Sequence, residues 1–168
     1  MNLIRSLFRR QPDPADTVRP LWHRIVALSR DPAWYSDCGV ADTVQGRFDM
    51  ITLVLSAVIV RMECEDALRP ASTWLTELFV ADMDGQLRET CMGDPTLGKE
   101  MGKLVSVLGG RLGALREAGD DVSAIAAVVA RNAAVQGSGA AVATRLAAFS
   151  QSLAATDAEA ILNADIAL

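Results

Sequence analysis

The feature that most constrains the fold is a long apolar stretch over residues 42–66. At about 100° per residue, six of its side chains form one broad apolar face: Phe48, Ile51, Leu55, Val58, Ile59 and Met62. Much of the remaining circumference is apolar as well, through Leu53, Val54, Ala57 and Val60. Because a helix that is apolar nearly all round must be covered on every side, we predict a central helix capped by Asp42 or Thr43.

The rest of the chain has the composition and the breaks of further helices. Ala, Val and Leu are abundant and aromatic residues make up only 5%, which suits close helix packing better than a sheet. No stretch alternates apolar and polar residues with the period of a strand. Clusters of Gly, Pro and Asp divide the pattern into segments of helical length, and two later helices have predicted caps: Asp121 for one, and Thr156 or Asp157 for the last. We therefore predict an all-α protein, with a single compact domain of about seven helices over residues 12–168.

The first ten residues, MNLIRSLFRR, form a separate amphipathic segment. Two prolines in the following QPDPAD separate residues 1–11 from the helical domain. An apolar face flanked by arginines is typical of a helix that lies on an anionic membrane surface. The membrane-contact candidates are Leu3, Ile4, Arg5, Leu7, Phe8, Arg9 and Arg10. A segment that docks back onto the domain, or that is disordered, has the same pattern.

Several function classes find no support in the sequence. The net charge of -5 argues against nucleic-acid binding. His23 is the single histidine, and no phosphate loop, nucleophile elbow or metal-ligand spacing is present, so we predict no enzyme, no metal and no cofactor. Cys38, Cys64 and Cys91 are widely spaced, which favours free thiols in a reducing compartment. The uncharged run at residues 50–60 is well short of the roughly 20 residues that span a bilayer.

A few charged residues stand out as candidates for a binding surface. Asp82 projects between Leu78 and Phe79, on the apolar side of its helix, so it requires a partner there. Arg47 and Arg111 are the natural candidates for that partner. The pair would either fix helix packing or belong to a polar cleft that receives another protein.

Other charged residues follow helical spacing. Asp84 and Arg88 are four apart and predict a solvated ion pair, while Asp49 complements the positive N-terminal end of the central helix. A stripe is formed by Lys99, Lys103 and Arg111, at spacings of four and eight. This stripe could contact acidic segments or lipid headgroups, or it could be an ordinary solvated face. The whole candidate set is Arg47, Asp49, Asp82, Asp84, Arg88, Glu89, Lys99, Lys103 and Arg111, of which the last three form the stripe.

Three stretches resemble the ubiquinol-cytochrome c chaperone family: residues 39–51 (GVADTVQGRFDMI), 78–94 (LFVADMDGQLRETCMGD) and 99–114 (KEMGKLVSVLGGRLGA). The third has Leu108 at a place where relatives commonly carry an aromatic residue. The resemblance implies an all-helical assembly factor of the cytochrome bc1 complex. It implies that the candidate set above binds a client, newly made cytochrome b or another bc1 assembly intermediate, with or without a small partner protein.

With the amphipathic start, the resemblance implies a cytoplasmic protein that is peripheral on the inner face of a bacterial membrane. The alternative is a peripheral lipid-binding or scaffold protein that has no cytochrome b client.

Overall fold

The apolar stretch forms helix α3, Val44–Glu63, at the centre of an all-α fold. The computed structural model describes residues 13–90 and 97–168. Helices α1, α4, α5 and α7 all pack against α3, and thirteen of the twenty residues of α3 are buried. The prediction of a single all-α domain around a central apolar helix is confirmed, and no strand occurs in the described ranges.

The described helices surround α3 in the following order. The helices that precede α4 are α1 (Arg19–Ser29), α2 (Pro32–Ser36) and α3 (Val44–Glu63), with 3-10 turns at Pro14–Val18 and Asp66–Leu68. The later helices are α4 (Arg69–Thr90), α5 (Leu97–Ala118), α6 (Val122–Asn132), α7 (Ala140–Ala155) and α8 (Ala158–Leu162). Six of the eight have eleven residues or more, which matches the prediction of about seven helices.

Short polar side chains begin several helices where the sequence predicts them. The Thr43 hydroxyl accepts a hydrogen bond from the Gly46 backbone N–H at 3.1 Å, so Thr43 caps α3 and Asp42 does not. Asp121 caps α6 and Asp157 caps α8 in the same manner. These contacts lie within one helical turn, which explains why the sequence alone predicts them.

The first turn of α3 is pressed against the chain that leads into it. A Cβ atom added to Gly46 would lie 1.9 Å from the carbonyl oxygen of Ala41, so only glycine fits there. The same lead-in pairs with the connection between α6 and α7, where the Ala41 N–H donates to the Ala134 carbonyl at 2.9 Å. The start of α3 is therefore fixed by a segment more than ninety residues later in the sequence.

Helix α5 differs from α3 in its glycine content. At five of its positions, added Cβ atoms would meet no atom of the described residues within 4 Å: Gly98, Gly102, Gly109, Gly110 and Gly113. Each such glycine costs a helix roughly 0.5–1 kcal/mol relative to alanine, and here no close packing requires it. Because its own residues favour helix weakly, α5 depends on contacts with α3, α4 and α6.

Candidate functional site

The most distinctive surface feature is an apolar cleft between α3, α4 and α5, with a volume of about 380 Å³. It is lined by Arg30, Val44, Gln45, Arg47, Phe48, Ile51, Met83, Gln86, Leu87 and Leu104. Val44 is 89% exposed, which makes it the most exposed large apolar side chain among the described residues. Concave apolar surfaces that carry a few polar groups are typical of binding sites, so we treat this cleft as the candidate functional site.

A buried ion pair lies directly beneath the cleft. Asp49 and Arg111 are 2% and 3% exposed, and the Arg111 Nη2 atom lies 2.6 Å from Asp49 Oδ1. Arg111 also donates to the Thr52 hydroxyl and to the Asn132 carbonyl. The second oxygen of Asp49 accepts from the Ala134 N–H at 3.0 Å. One ion pair therefore joins α3, α5 and the end of α6.

This network reaches the cleft through two side chains on α3. Gln45 donates through Nε2 to Asp49 Oδ1 at 2.8 Å and also lines the cleft. The guanidinium carbon of Arg111 lies 5.8 Å from the centre of the Phe48 ring, which forms part of the cleft wall. Because burying two charges is costly unless their hydrogen bonds are made, the network fixes the geometry of the cleft floor.

The predicted stripe of Lys99, Lys103 and Arg111 is not a continuous surface, so that prediction was wrong. Both lysines are exposed and Lys103 pairs with Glu100 at 2.6 Å, whereas Arg111 is buried. The eight-residue step to Arg111 rotates the side chain by about 80° around the helix, which turns it into the protein. Asp49 and Arg111 thus lie beneath the surface that a client would touch, contrary to their choice as contact residues.

Asp82 was also predicted incorrectly, because it is exposed and pairs with neither Arg47 nor Arg111. Its Oδ2 atom accepts from Gln86 Nε2 at 3.3 Å. Asp82 lines a separate depression that also contains Asp13 and His23, and no helix of the described residues covers this side of α4. The helical projection placed Asp82 near Leu78 correctly, but the depression remains open at that point.

Arg47 lies at the rim of the cleft and is 59% exposed as a side chain. Its partner is Asp42 and not Asp82, since the Arg47 Nε atom lies 2.7 Å from Asp42 Oδ1. The hydrogen bond from Arg47 lowers the pKa of the Asp42 carboxyl, and the same bond raises the pKa of Arg47. Of the nine candidate client-binding residues, Arg47 alone is among the residues that line this cleft.

The Asp84–Arg88 ion pair is confirmed, with Oδ2 and Nε 2.6 Å apart. Glu89 is exposed one residue further on. Asp84 lines a shallow depression with Met101 on another side of α4, so this group lies apart from the cleft. The membrane-contact candidates in residues 1–10, together with Cys91, lie outside the described residues.

Sequence reasoning missed most residues that line the cleft. Arg30, Val44 and Gln45 were not candidates, because no local pattern distinguishes them from ordinary surface residues. Ile51 was assigned to the apolar face of the central helix and hence to the core, and Met83 and Leu87 lie on the apolar side of α4 without being candidates. One available signal was Val44, a large apolar side chain directly after the Thr43 cap and outside the main apolar face of α3.

Neither a membrane-spanning helix nor a metal-binding cluster occurs within the described residues. No helix in these ranges has both the length and the apolar character that a membrane span needs. Across residues 13–90 and 97–168, no three His, Cys, Asp or Glu side chains lie close enough together to hold a metal ion.

Comparison with known proteins decides the family. The ubiquinol-cytochrome C chaperone family matches residues 36–168, which include α3, α4 and α5. The chain belongs to the ubiquinol-cytochrome c chaperone family. The crystal structure of the Cbp3 homolog from Brucella abortus is similar at 30% identity and a TM-score of 0.79, covering 98% of this chain and 96% of that chain. No curated protein matches.

The matched range contains all three stretches that resemble the family. The first contains Val44, Arg47 and Phe48 of the cleft, and the second contains Met83 and Leu87. The third supplies Leu104 to the cleft and Arg111 to the network beneath it. Leu108 is buried in the core. The three stretches that resemble the family therefore all contribute side chains to one cleft.

Proposed function

We propose that this protein is a cytochrome bc1 assembly chaperone that binds newly made cytochrome b, or another bc1 subunit, in the cleft between α3, α4 and α5. The observation that carries the proposal is that all three family stretches contribute side chains to this one apolar surface. An incompletely assembled membrane-protein subunit exposes apolar segments that need temporary cover. An open apolar cleft on a rigid floor supplies such cover.

The family and the helical fold support a binding role without catalysis. Two charged pairs at and beneath the cleft are formed within the chain: Asp49 with Arg111, and Asp42 with Arg47. Such pairs hold a surface in shape or orient a partner. Binding and release of a client are therefore the activity that this site supports.

We also propose that binding takes place at the inner face of the cytoplasmic membrane. The support is the amphipathic sequence of residues 1–10, with an apolar face and three arginines. The expectation is that the protein floats with phosphatidylglycerol vesicles, and that replacing Leu7 and Phe8 by glutamate in the full chain abolishes flotation. Equal flotation of both proteins would contradict membrane contact through this segment.

Site-specific photo-crosslinking tests the client. A crosslinking amino acid at position 44, on the cleft rim, should capture cytochrome b in cells that are synthesising it. The matched control is position 122, an exposed valine at the start of α6. Capture from position 44 and not from position 122 supports the proposal.

A deletion strain separates this role from the alternative of a lipid-binding or scaffold protein. Loss of cytochrome b and of bc1 activity is expected if the protein is an assembly chaperone. Wild-type amounts of both, with no cytochrome b captured from position 44, would rule out the client role.

A further inference from the structure

The charge around the cleft specifies its occupant more closely than its apolar lining does. We propose that the cleft receives an amphipathic α-helix that carries a carboxylate, and that Arg30 and Arg47 bind this carboxylate. The helix belongs to the client, so the inference rests on the proposed function for its biological setting. It adds the secondary structure and the charge of the bound segment, and it assigns a role to Arg30.

The shape of the cleft is that of a groove for one helix. Val44, Phe48 and Ile51 follow one another on α3 at spacings of four and three, which makes one apolar ridge. Met83 and Leu87, four residues apart on α4, make the facing ridge. From Val44 to Ile51 the α3 ridge rises by seven steps of 1.5 Å, or about 10 Å, which equals roughly two turns of a bound helix. Apolar ridges of this kind receive the side chains of a third helix.

The polar lining of this groove is positive in an otherwise acidic protein. The chain has 21 acidic residues against 16 Lys and Arg, yet the described side chains that line the cleft include two arginines and no carboxylate. Arg30 is exposed, and within the described residues its guanidinium forms no hydrogen bond and no ion pair. Arg47 forms an ion pair with Asp42.

The two arginines also share the neighbouring depression, which contains Asp42 and Tyr35. Two guanidinium groups therefore face a single carboxylate at the rim. A second carboxylate, brought by the partner, would give each arginine a charge-assisted hydrogen bond of the forked kind that guanidinium groups favour.

The same charges argue against one nearby alternative. Residues 1–10 of this chain have an apolar face, but they carry three arginines and no acid. Docking them between Arg30 and Arg47 would bring like charges together, which is unfavourable. A helix with an acidic edge can present an apolar face to the cleft without placing positive charges beside Arg30 and Arg47.

A pair of model peptides tests the inference on the purified full chain. Both peptides are held helical by a side-chain bridge and present leucines at i, i+4 and i+7. One carries glutamate beside the leucine row, and the other carries glutamine at that position. We expect the glutamate peptide to bind about tenfold more tightly in fluorescence anisotropy, as is usual for a hydrogen bond to a charged group.

The protein variants assign the effect to the rim. Arg30→Gln combined with Arg47→Gln should remove the tenfold preference and leave the glutamine peptide's affinity unchanged. Arg69→Gln combined with Arg88→Gln is the matched control, since both residues are exposed arginines away from the cleft, and it should keep the preference. Far-ultraviolet circular dichroism verifies that all variants are folded.

Three results would overturn the inference. Equal binding of the two peptides by the wild-type chain excludes recognition of the carboxylate, and no binding of either peptide excludes the helix. Binding of phosphatidylglycerol vesicles through Arg30 and Arg47, without peptide binding, identifies a lipid occupant instead. A glutamate preference without cytochrome b capture from position 44 contradicts the proposed client alone, whereas capture without the preference contradicts only the occupant's chemistry.

Discussion

The floor and the rim of the cleft are built from the same residue types in opposite ways. On the floor, Arg111 and Asp49 are buried and share hydrogen bonds with three further residues. On the rim, Arg47 and Asp42 form a pair of similar length in solvent. The comparison shows that one arginine of these stretches is held in a buried network while another is exposed at the cleft, where a partner can reach it.

The energetic difference between the pairs follows from desolvation. A buried charge that loses its partner has no water to replace it, so the loss is large. An exposed ion pair is screened and its partners are readily hydrated when separated. Substitutions on the floor should therefore change stability, and substitutions on the rim should change binding.

The largest expected effect is that of Asp49→Ala. Arg111 would remain buried without its carboxylate, and the Ala134 N–H would lose its acceptor, so we expect a loss of about 3–5 kcal/mol in the free energy of unfolding. Urea denaturation followed by circular dichroism measures the change. Asp84→Ala, which breaks an exposed pair on α4, is the control and should leave the midpoint within experimental error. Equal losses of stability for the two substitutions would contradict the expected difference between a buried and an exposed ion pair.

A smaller loss is expected for Gly46→Ala, next to the floor. The added methyl group collides with the Ala41 carbonyl, so the lead-in to α3 must shift, at a cost of about 1–3 kcal/mol. Thermal unfolding measures the loss. An unchanged or raised unfolding temperature would show that the start of α3 is less constrained than its contacts indicate.

A gain in stability, and not a loss, is expected for Gly102→Ala on α5. Nothing lies within 4 Å of the added methyl group, so the higher helix propensity of alanine should stabilise the protein by about 0.5–1 kcal/mol. The same thermal unfolding experiment measures it, with Gly46→Ala as the matched glycine substitution. A destabilised Gly102→Ala protein would show that the outer side of α5 is covered in solution.

The smallest expected effect is a change in the pKa of Asp42 when its partner Arg47 is replaced. Arg47 lowers the pKa of Asp42 in the folded state, so the pair stabilises the protein above the unfolded pKa, and this contribution is lost as the pH falls through the folded value. Arg47→Gln should raise the Asp42 pKa toward its ordinary value, as measured by nuclear magnetic resonance titration. Stability at neutral pH should not change measurably, because the pair is exposed. An unaltered Asp42 titration would show that the two side chains are apart in solution.

The sequence predicts those parts of the molecule that depend on neighbours within one turn. The Thr43, Asp121 and Asp157 caps, the apolar circumference of α3 and the Asp84–Arg88 pair are all of this kind. The site depends on contacts that are distant in the chain. Asp49 meets Arg111 after 62 residues and Ala134 after 85, and no local pattern indicates either contact.

The error at Asp82 has a related cause. A helical projection shows on which side of a helix a residue lies, but it does not show whether another element covers that side at that height. Leu78 is buried one turn earlier, whereas Asp82 faces an open depression. Arg30 illustrates the converse, because it belongs to the cleft only through the way in which the end of α1 meets the start of α3.

The glycines of α5 give the cleft walls unequal mechanical properties. The α3 wall is stiff, because α3 packs against four other helices and is fixed near its start by Gly46 and Asp49. We expect the α5 wall, which supplies Leu104, to be compliant, because its glycines lower its intrinsic helix stability and no described atom packs against them. A groove with one stiff wall and one compliant wall has a fixed register along α3 and an adjustable width. We therefore expect that helices whose side chains differ in size can bind in the same groove.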